Sequence, residues 1–179
     1  TRDLSMASGT EEVTKTARRH IRKYFNLDCI ILLKNEFNHQ YIQVSHDTSI
    51  SLSKNDMSIA AWVYKNSAKA GKFTETLPSG NITFYPLTGI NDNMGVLAIE
   101  PVKVFTQGEE QFWNACLSQI SGKYEREFLR NAAKKAYVLN ESDKLYRTLF
   151  NSISHELRIP VATIIGASDS LMLQEFSEY

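Results

Sequence analysis

The sequence has no excess of charge of either sign, because its 20 lysines and arginines balance 20 aspartates and glutamates among 179 residues. A chain without net charge has no general attraction for nucleic acid, and we expect no nucleic-acid partner. Long hydrophobic runs are also absent, since the longest, at residues 29–33, is far shorter than the roughly 20 residues of a membrane span. No signal peptide opens the chain, so we expect any membrane attachment to lie outside these residues.

Glycine and proline are scarce, with 8 and 4 residues, which excludes collagen-like, linker-like and largely disordered chains. The hydrophobic content of 42% is sufficient for a packed core. Only two cysteines are present, Cys29 and Cys116, and they lie in apolar stretches without the CxxC spacing of a metal or redox site. They are therefore predicted to be buried free thiols in a reducing compartment, the cytoplasm.

The first hundred residues mix helix and strand signals. A capping box at Ser8 and Glu11 predicts an amphipathic helix that runs to Asn26, and a second one at Ser53 and Asp56 predicts a helix that ends before Gly71. Four strands are predicted at residues 27–33, 41–44, 82–87 and 94–99, the first two as a hairpin, with a loop at 73–81. The pattern indicates an α+β fold with an antiparallel sheet flanked by helices.

From residue 106 onward the strand signals disappear. Thr106 and Glu109 form another capping box, and the rest of the chain is predicted to be mostly one long helix. Apolar residues that recur every four positions predict a stripe on this helix that covers the sheet or a partner helix: Phe112, Cys116, Ile120, Tyr124 and Phe128. We place the boundary of the sheet domain and its connecting helix at residues 1–130, with a separate helix at 131–179.

A second pattern follows on the same helix. Leu139, Tyr146 and Ile153 lie seven residues apart, with Leu149 between the last two, among interspersed charges. This spacing is typical of a short coiled-coil seam, so we predict a homodimer through the C-terminal helices. Only two heptads are visible, and a helix that packs on its own domain is the alternative.

The segment around His155 contains side chains that can take part in nucleophilic chemistry. Imidazole titrates near pH 6.5, so a solvent-facing histidine is largely neutral at pH 7 and can attack a phosphoryl group. Glu156 can hold the second ring nitrogen and stabilise the positive charge that develops there, and Arg158 lies near the same face. Pro160 removes a helical hydrogen bond just beyond, where we expect a kink and a mobile helix segment.

Several segments resemble a known family. Residues 154–160, Ser-His-Glu-Leu-Arg-Ile-Pro, resemble the phosphoacceptor H-box of sensor histidine kinases, and residues 162–168 resemble its version in the KdpD family of osmosensitive potassium-channel sensor kinases. Short upstream segments resemble the GAF sensor domain that precedes the H-box in that family: residues 61–64, 70–71, 76–78, 85–87 and 95–97. The resemblance covers roughly residues 8–173.

This resemblance implies a GAF-like domain with its connecting helix at residues 1–130 and the first helix of a HisKA dimerisation and phosphoacceptor domain at 131–179. It implies that His155 is autophosphorylated, that Glu156 orients it, that Arg158 belongs to the site, and that the phosphoryl group passes to a response regulator. The fragment would be the cytoplasmic portion of a bacterial inner-membrane kinase, with membrane spans upstream. ATP and Mg²⁺ would bind through the missing kinase domain, because the fragment contains no Gly-rich nucleotide motif, and the fragment alone should be inactive.

One position departs from the family pattern. The family usually has threonine or asparagine four residues after the histidine, where it orients water for dephosphorylation of the response regulator, whereas this chain has Ile159. An aliphatic side chain cannot orient water, which puts phosphatase activity in doubt. Phosphoryl acceptance by His155 is unaffected by that argument.

Two other functions remain open. The chain could be a small-molecule-binding GAF module whose helical tail only dimerises and transmits signal, or a dimerisation scaffold that binds neither ligand nor phosphate. Four aromatic residues could line a ligand pocket or belong to the core: Trp62, Phe73, Phe84 and Tyr85. His20, His39 and His46 have no metal-ligand spacing, and we predict no metal or cofactor within the fragment.

Overall fold

The structure is a computed structural model that describes residues 9–34, 41–43, 49–78, 80–90 and 92–175. Its helices and strands, in chain order, are α1 (Thr10–Phe25), β1 (Cys29–Lys34), β2 (Tyr41–Gln43), α2 (Lys54–Asn66), β3 (Ala70–Gly71), β4 (Thr83–Thr88), β5 (Asn93–Ile99) and α3 (Gln107–Glu175). The strands form one antiparallel sheet in the order β2-β1-β5-β4-β3. The predicted α+β class is confirmed.

The chain divides into two compact units, Thr1–Arg130 and Asn131–Tyr179. The sheet, α1, α2 and the first part of α3 belong to the first unit, and the rest of α3 belongs to the second. Among the described residues, no helix combines the length and the hydrophobicity that crossing a membrane requires.

Two of the three predicted helix starts are confirmed. The Ser53 hydroxyl accepts from the Asp56 N–H and the Asp56 carboxylate accepts from the Ser53 N–H, which is a complete capping box at α2. Glu109 makes the same reciprocal bonds with Thr106 at α3. A hydrogen bond from Lys103, then those from Thr106, lower the pKa of Glu109 to about 2.

The third helix start is different from the prediction. Helix α1 begins at Thr10 after Gly9, and no side chain caps it locally. Ser8 of the predicted capping box lies outside the described residues. The backbone of Gly9 has φ 86° and ψ 149°, a conformation that favours glycine and begins the helix without a hydroxyl acceptor.

The predicted strands are present, with ends shifted by one or two residues. Strands β1 and β2 form the expected antiparallel pair, and Val44 of the second predicted strand lies outside the described residues. Strand β3 was not predicted, because two residues are too few to show an alternating pattern. Gly71 in β3 has φ 106°, and a Cβ there would lie 2.2 Å from the Ile82 carbonyl oxygen, so only glycine fits.

Helices α1 and α3 pack on one face of the sheet. Their buried residues form a continuous cluster with the strands: Val13, Ala17 and Ile21 of α1, and Trp113, Leu117, Ile120 and Tyr124 of α3. The predicted four-residue stripe is therefore right for Ile120 and Tyr124 but wrong at its ends, because Phe112 and Phe128 are 49% and 44% exposed. A helix turns every 3.6 residues, so a spacing of four drifts by about 40° at each step and leaves the buried face.

Helix α2 packs on the opposite face of the sheet. The buried cluster that α2 shares with the sheet and its neighbouring segments is Ile30, Leu32, Ile50, Ile59, Ala60, Val63, Ala70, Ile82, Phe84, Val96 and Ala98. Phe84 is fully buried there, and Trp62 packs partly buried against the cluster. These two aromatic residues therefore belong to the core rather than to a pocket.

Both cysteines are free thiols, as predicted, but their burial differs. Cys29 is buried in β1, and burial raises the pKa of its thiol to about 12. Cys116 is only half-buried, on the side of α3 next to α1, and this partial burial also raises its pKa. The expectation that both are buried is correct for Cys29 alone.

Asp28 joins three parts of the sheet domain. Its carboxylate accepts hydrogen bonds from the Arg18 guanidinium of α1 at 3.0 Å, from the Cys29 N–H at 2.9 Å and from the Ser49 N–H at 3.1 Å. Burial raises the pKa of Asp28, but these hydrogen bonds and the Arg18 charge outweigh it, and the net pKa is lowered from its ordinary value. The ionised form is therefore more stable in the folded protein than in the unfolded chain.

Replacement of Asp28 by asparagine should destabilise the protein by about 1–2 kcal/mol at pH 7, because three donors lose a charged acceptor. The lowered pKa means that the native carboxylate stabilises the fold above its unfolded pKa of about 3.9, and that this contribution disappears as the pH falls through the folded pKa. Urea unfolding at pH 7, 5 and 3 should therefore show the two proteins converging in acid. Asp143→Asn, at an exposed ion pair, is the matched control, and a gap that stays constant with pH would contradict the assignment.

Candidate functional site

The structure places all three predicted site residues on α3, within the second unit. His155, Glu156 and Arg158 are exposed, and α3 continues through Pro160 to Glu175. Arg158 and Ile159 follow His155 at three and four residues, so both lie on or beside its face of the helix. The imidazole therefore faces solvent with an aliphatic side chain one turn away.

Glu156 makes no hydrogen bond to the imidazole in the described part of the chain. Adjacent residues on a helix project about 100° apart and do not face each other, and the structure has no hydrogen bond between His155 and Glu156. A carboxylate in this position can reach the ring only after a change of side-chain rotamer or a local distortion of the helix. Its orienting role stays a prediction.

The face of α3 opposite His155 is apolar. Tyr146 precedes His155 by nine residues and Ile164 follows it by nine, which puts both about 180° from the imidazole. The residues on this face are each more than half exposed: Leu139, Tyr146, Leu149, Phe150, Ile153, Leu157, Val161 and Ile164. This apolar face extends beyond the two heptads of the predicted seam, which stays a prediction, and a partner on the face would leave His155 accessible.

The sheet domain carries an open groove between β4 and the first turns of α3. Its volume is about 420 Å³, and both polar and apolar side chains line it. Lys69 and Glu110 form an ion pair across it. Burial, with a smaller effect of the Glu110 charge, raises the pKa of Tyr85 in its wall to about 12. Of the four aromatic residues considered for a pocket, Tyr85 and the exposed Phe73 line surface cavities.

A second, more apolar groove of about 270 Å³ lies between α1 and α3. His20, Tyr24, Phe112 and Cys116 line it, and the His20 and Tyr24 rings meet edge to face. Within the described ranges, no three histidine, cysteine, aspartate or glutamate side chains lie close enough to share a metal ion. His39 and His46 lie outside those ranges.

Sequence reasoning missed two buried carboxylates on α3, Glu125 and Glu127. Glu125 accepts from the backbone of residue 90, and Glu127 accepts from the backbone of residue 9. Each partner is 35 or more residues away in the chain. No local spacing or periodicity could have signalled these contacts.

Two curated proteins are similar to most of this chain. The sensor protein KdpD of Clostridium acetobutylicum is 26% identical over 176 residues, which are 94% of this chain. The sensor protein KdpD of Escherichia coli K12 is 22% identical over 178 residues, or 98% of this chain. The chain spans about a fifth of the length of these relatives. No protein-family model matches it.

Solved structures show the same fold. The GAF domain of the potassium sensor histidine kinase KdpD from Escherichia coli superposes with a TM-score of 0.65 at 20% identity, covering 74% of this chain and 92% of that one. The GAF domain of an Acinetobacter phosphoenolpyruvate-protein phosphotransferase superposes with a TM-score of 0.54 at 16% identity, covering 72% and 89%. The sheet domain therefore has the GAF fold.

We expect the chain to dimerise through the apolar face of α3, because so many large exposed side chains on one helix favour a coiled-coil partner. Ile153→Lys should raise the dissociation constant of the dimer about tenfold or more, since it puts a charge at the centre of that face. Asn151→Lys adds the same charge on the His155 side and is the matched control. Sedimentation equilibrium decides, and a native chain that stays monomeric at all accessible concentrations would refute the prediction.

Proposed function

We propose that this chain, which is a GAF-domain fragment of the KdpD family of sensor proteins, is the cytoplasmic sensory and phosphoacceptor portion of a two-component sensor histidine kinase. The proposed signal is potassium, which the name of the Escherichia coli relative mentions, or osmotic change, which the resemblance to the KdpD family implies. The observation that carries the phosphoacceptor role is the exposed His155 on α3, on the side opposite a long apolar face. Residues 1–130 sense, and residues 131–179 begin the HisKA domain.

The chemistry of this proposal is a phosphoryl relay at one imidazole. A ring nitrogen of neutral His155 attacks the γ-phosphorus of ATP as the bond to the ADP oxygen breaks, and the proton on the other ring nitrogen passes to the Glu156 carboxylate or to water. ATP and Mg²⁺ are held by the kinase domain of the parent protein, so this chain supplies only the nucleophile and its surroundings. Positioning and charge stabilisation dominate such transfers. An aspartate of a response regulator then takes the phosphoryl group.

The arrangement of α3 supports this role because it separates two tasks. The apolar face can be covered by the second copy in a homodimer, while the polar face keeps His155, Arg158 and Ile159 open to the kinase domain and the response regulator. Pro160 leaves the Glu156 carbonyl without its helical N–H partner just beyond the histidine. That weakened turn allows the small adjustment that Glu156 needs to reach the ring.

A GAF module that binds a small molecule and only dimerises through its tail is the second candidate. The groove of about 420 Å³ with the Lys69–Glu110 pair favours it, because a lysine and a glutamate across one groove can bind a zwitterionic solute. The two candidates differ at His155, which is phosphorylated only under the first.

In the full-length kinase, His155→Gln should abolish labelling by ATP, and Glu156→Ala should slow it by about 10²–10⁴-fold, the range of acid–base assistance. The label should be acid-labile, as expected for phosphohistidine. Glu141→Ala removes an exposed acid from the same helix and should label at the native rate. Undiminished labelling of His155→Gln would place the phosphoacceptor elsewhere and favour the second candidate.

Ile159→Thr should leave autophosphorylation largely intact and raise the rate at which the kinase dephosphorylates its response regulator. Threonine one turn beyond His155 can orient a water molecule, whereas the native isoleucine cannot. The measurement is the loss of phosphate from the phosphorylated regulator, with Ile159→Val as the control that adds no hydroxyl. Equal rates for all three forms would show that other residues position the water.

A further inference from the structure

Three ionisable side chains are buried in one short stretch of α3. Lys123, Glu125 and Glu127 are 8%, 6% and 5% exposed, in the last turns before residue 131. A buried charge is costly unless hydrogen bonds or an opposite charge compensate it. Glu125 and Glu127, which we call the carboxylate pair, are two residues apart and so project about 200° apart, toward opposite sides of α3.

Glu125 holds the turn between β4 and β5. Its two oxygens accept from the Ile90 N–H at 2.9 and 3.1 Å, while the Ile90 side chain is 93% exposed. Gly89 leaves the room for this contact, because a Cβ there would lie 2.9 Å from the Glu125 carboxyl carbon. The turn is itself closed by a bond from the Gly89 N–H to the Asp92 carbonyl. The carboxylate therefore binds the backbone of the turn at Ile90.

Glu127 holds the start of α1. Its Oε2 accepts from the N–H of Gly9, the N-cap of α1, at 2.9 Å. Gly9 has no side chain to cap the helix, so the carboxylate from α3 supplies an acceptor and a negative charge where the helix dipole favours them. The other oxygen of Glu127 lies 3.7 Å from the Lys123 ammonium and 3.9 Å from the Arg130 guanidinium.

We infer that the carboxylate pair is a conformational device that couples the β4–β5 turn and the start of α1 to the position of α3. Displacement of either segment breaks a hydrogen bond to a buried carboxylate, and losing a charge-assisted hydrogen bond in a buried position costs more than losing a surface contact. The cost is relieved when α3 follows the displaced segment. Because both carboxylates are on one helix, the movement also disturbs the contact on its other side.

This coupling acts on the helix that carries His155, and it does not depend on whether His155 is phosphorylated. A ligand or partner that moves the exposed turn at Ile90 therefore also acts on α3. A displacement of the Gly9 backbone at the start of α1 has the same effect. A purely structural role would make each contact a local anchor with no effect on the other. Coupling requires that loss of either contact weakens the other one, whereas two local anchors would be lost independently.

Amide hydrogen exchange of the whole chain tests this. Glu127→Ala should speed exchange of the Gly9 N–H and also, at the opposite side of α3, of the Ile90 N–H by about fivefold or more. Glu125→Ala should speed exchange of the Ile90 N–H and of the Gly9 N–H reciprocally. Amides of β5 report global unfolding and serve as the internal reference, and Glu141→Ala, an exposed acid on the same helix, should change neither contact.

The inference is wrong if Glu127→Ala speeds exchange of the Gly9 N–H alone and Glu125→Ala speeds exchange of the Ile90 N–H alone. If an alanine variant unfolds or speeds exchange in β5 as well, Gly89→Ala decides, because it pushes on the Glu125 carboxylate from the turn without removing any charge. It should speed exchange of the Gly9 N–H, and an unchanged Gly9 amide would refute coupling. Glu125→Gln and Glu127→Gln, which keep an oxygen acceptor, should restore much of the native protection.

Discussion

The packing of Trp113 is the interaction on which the rest of the sheet domain depends. Its indole is fully buried, with ring centroids 4.9 Å from Phe25 of α1, 5.2 Å from Tyr85 of β4 and 5.5 Å from Phe105. Such edge-to-face and tilted contacts add to the large apolar area that tryptophan buries. They fix the first turns of α3 against both α1 and the sheet. Because the helix is continuous, the position of Trp113 also determines the position of the carboxylate pair about three turns later.

The parts of the fold that could be predicted from the sequence are those whose causes are local. The Ser53 hydroxyl and the Asp56 carboxylate, three residues apart, accept hydrogen bonds from N–H groups at the start of α2. A pattern of four residues is therefore enough to predict where this helix begins. The β1–β2 pair follows from two short runs close in the chain. His155 is likewise predicted as a site residue from its own segment alone, and the structure adds the long apolar face on the other side of the helix.

The parts that could not be predicted depend on contacts between distant segments. The buried face of α3 is set by where the sheet lies, so the regular spacing of Phe112 and Phe128 gave a false indication of burial. Glu125 and Glu127 occur in a charged stretch that is typical of a solvent-facing helix. Their partners lie 35 and 118 residues away, and only the folded chain brings them together.

The carboxylate pair also explains why one contact would not be enough for a sensor domain to control α3. A helix held by a single hydrogen bond can still pivot about that point. Two carboxylates on opposite sides of α3, one bound to Ile90 and the other to Gly9, remove this pivot, because rotation of the helix about its axis withdraws both from their donors at once. Beyond residue 130 the ion pairs of α3, such as Lys144 with Glu141, are exposed and weak, so they impose no comparable restraint. The carboxylate pair therefore adds a restraint on rotation at the end of the sheet domain, beyond the turns of α3 that Trp113 holds, so movement of either bound segment acts on the helix there.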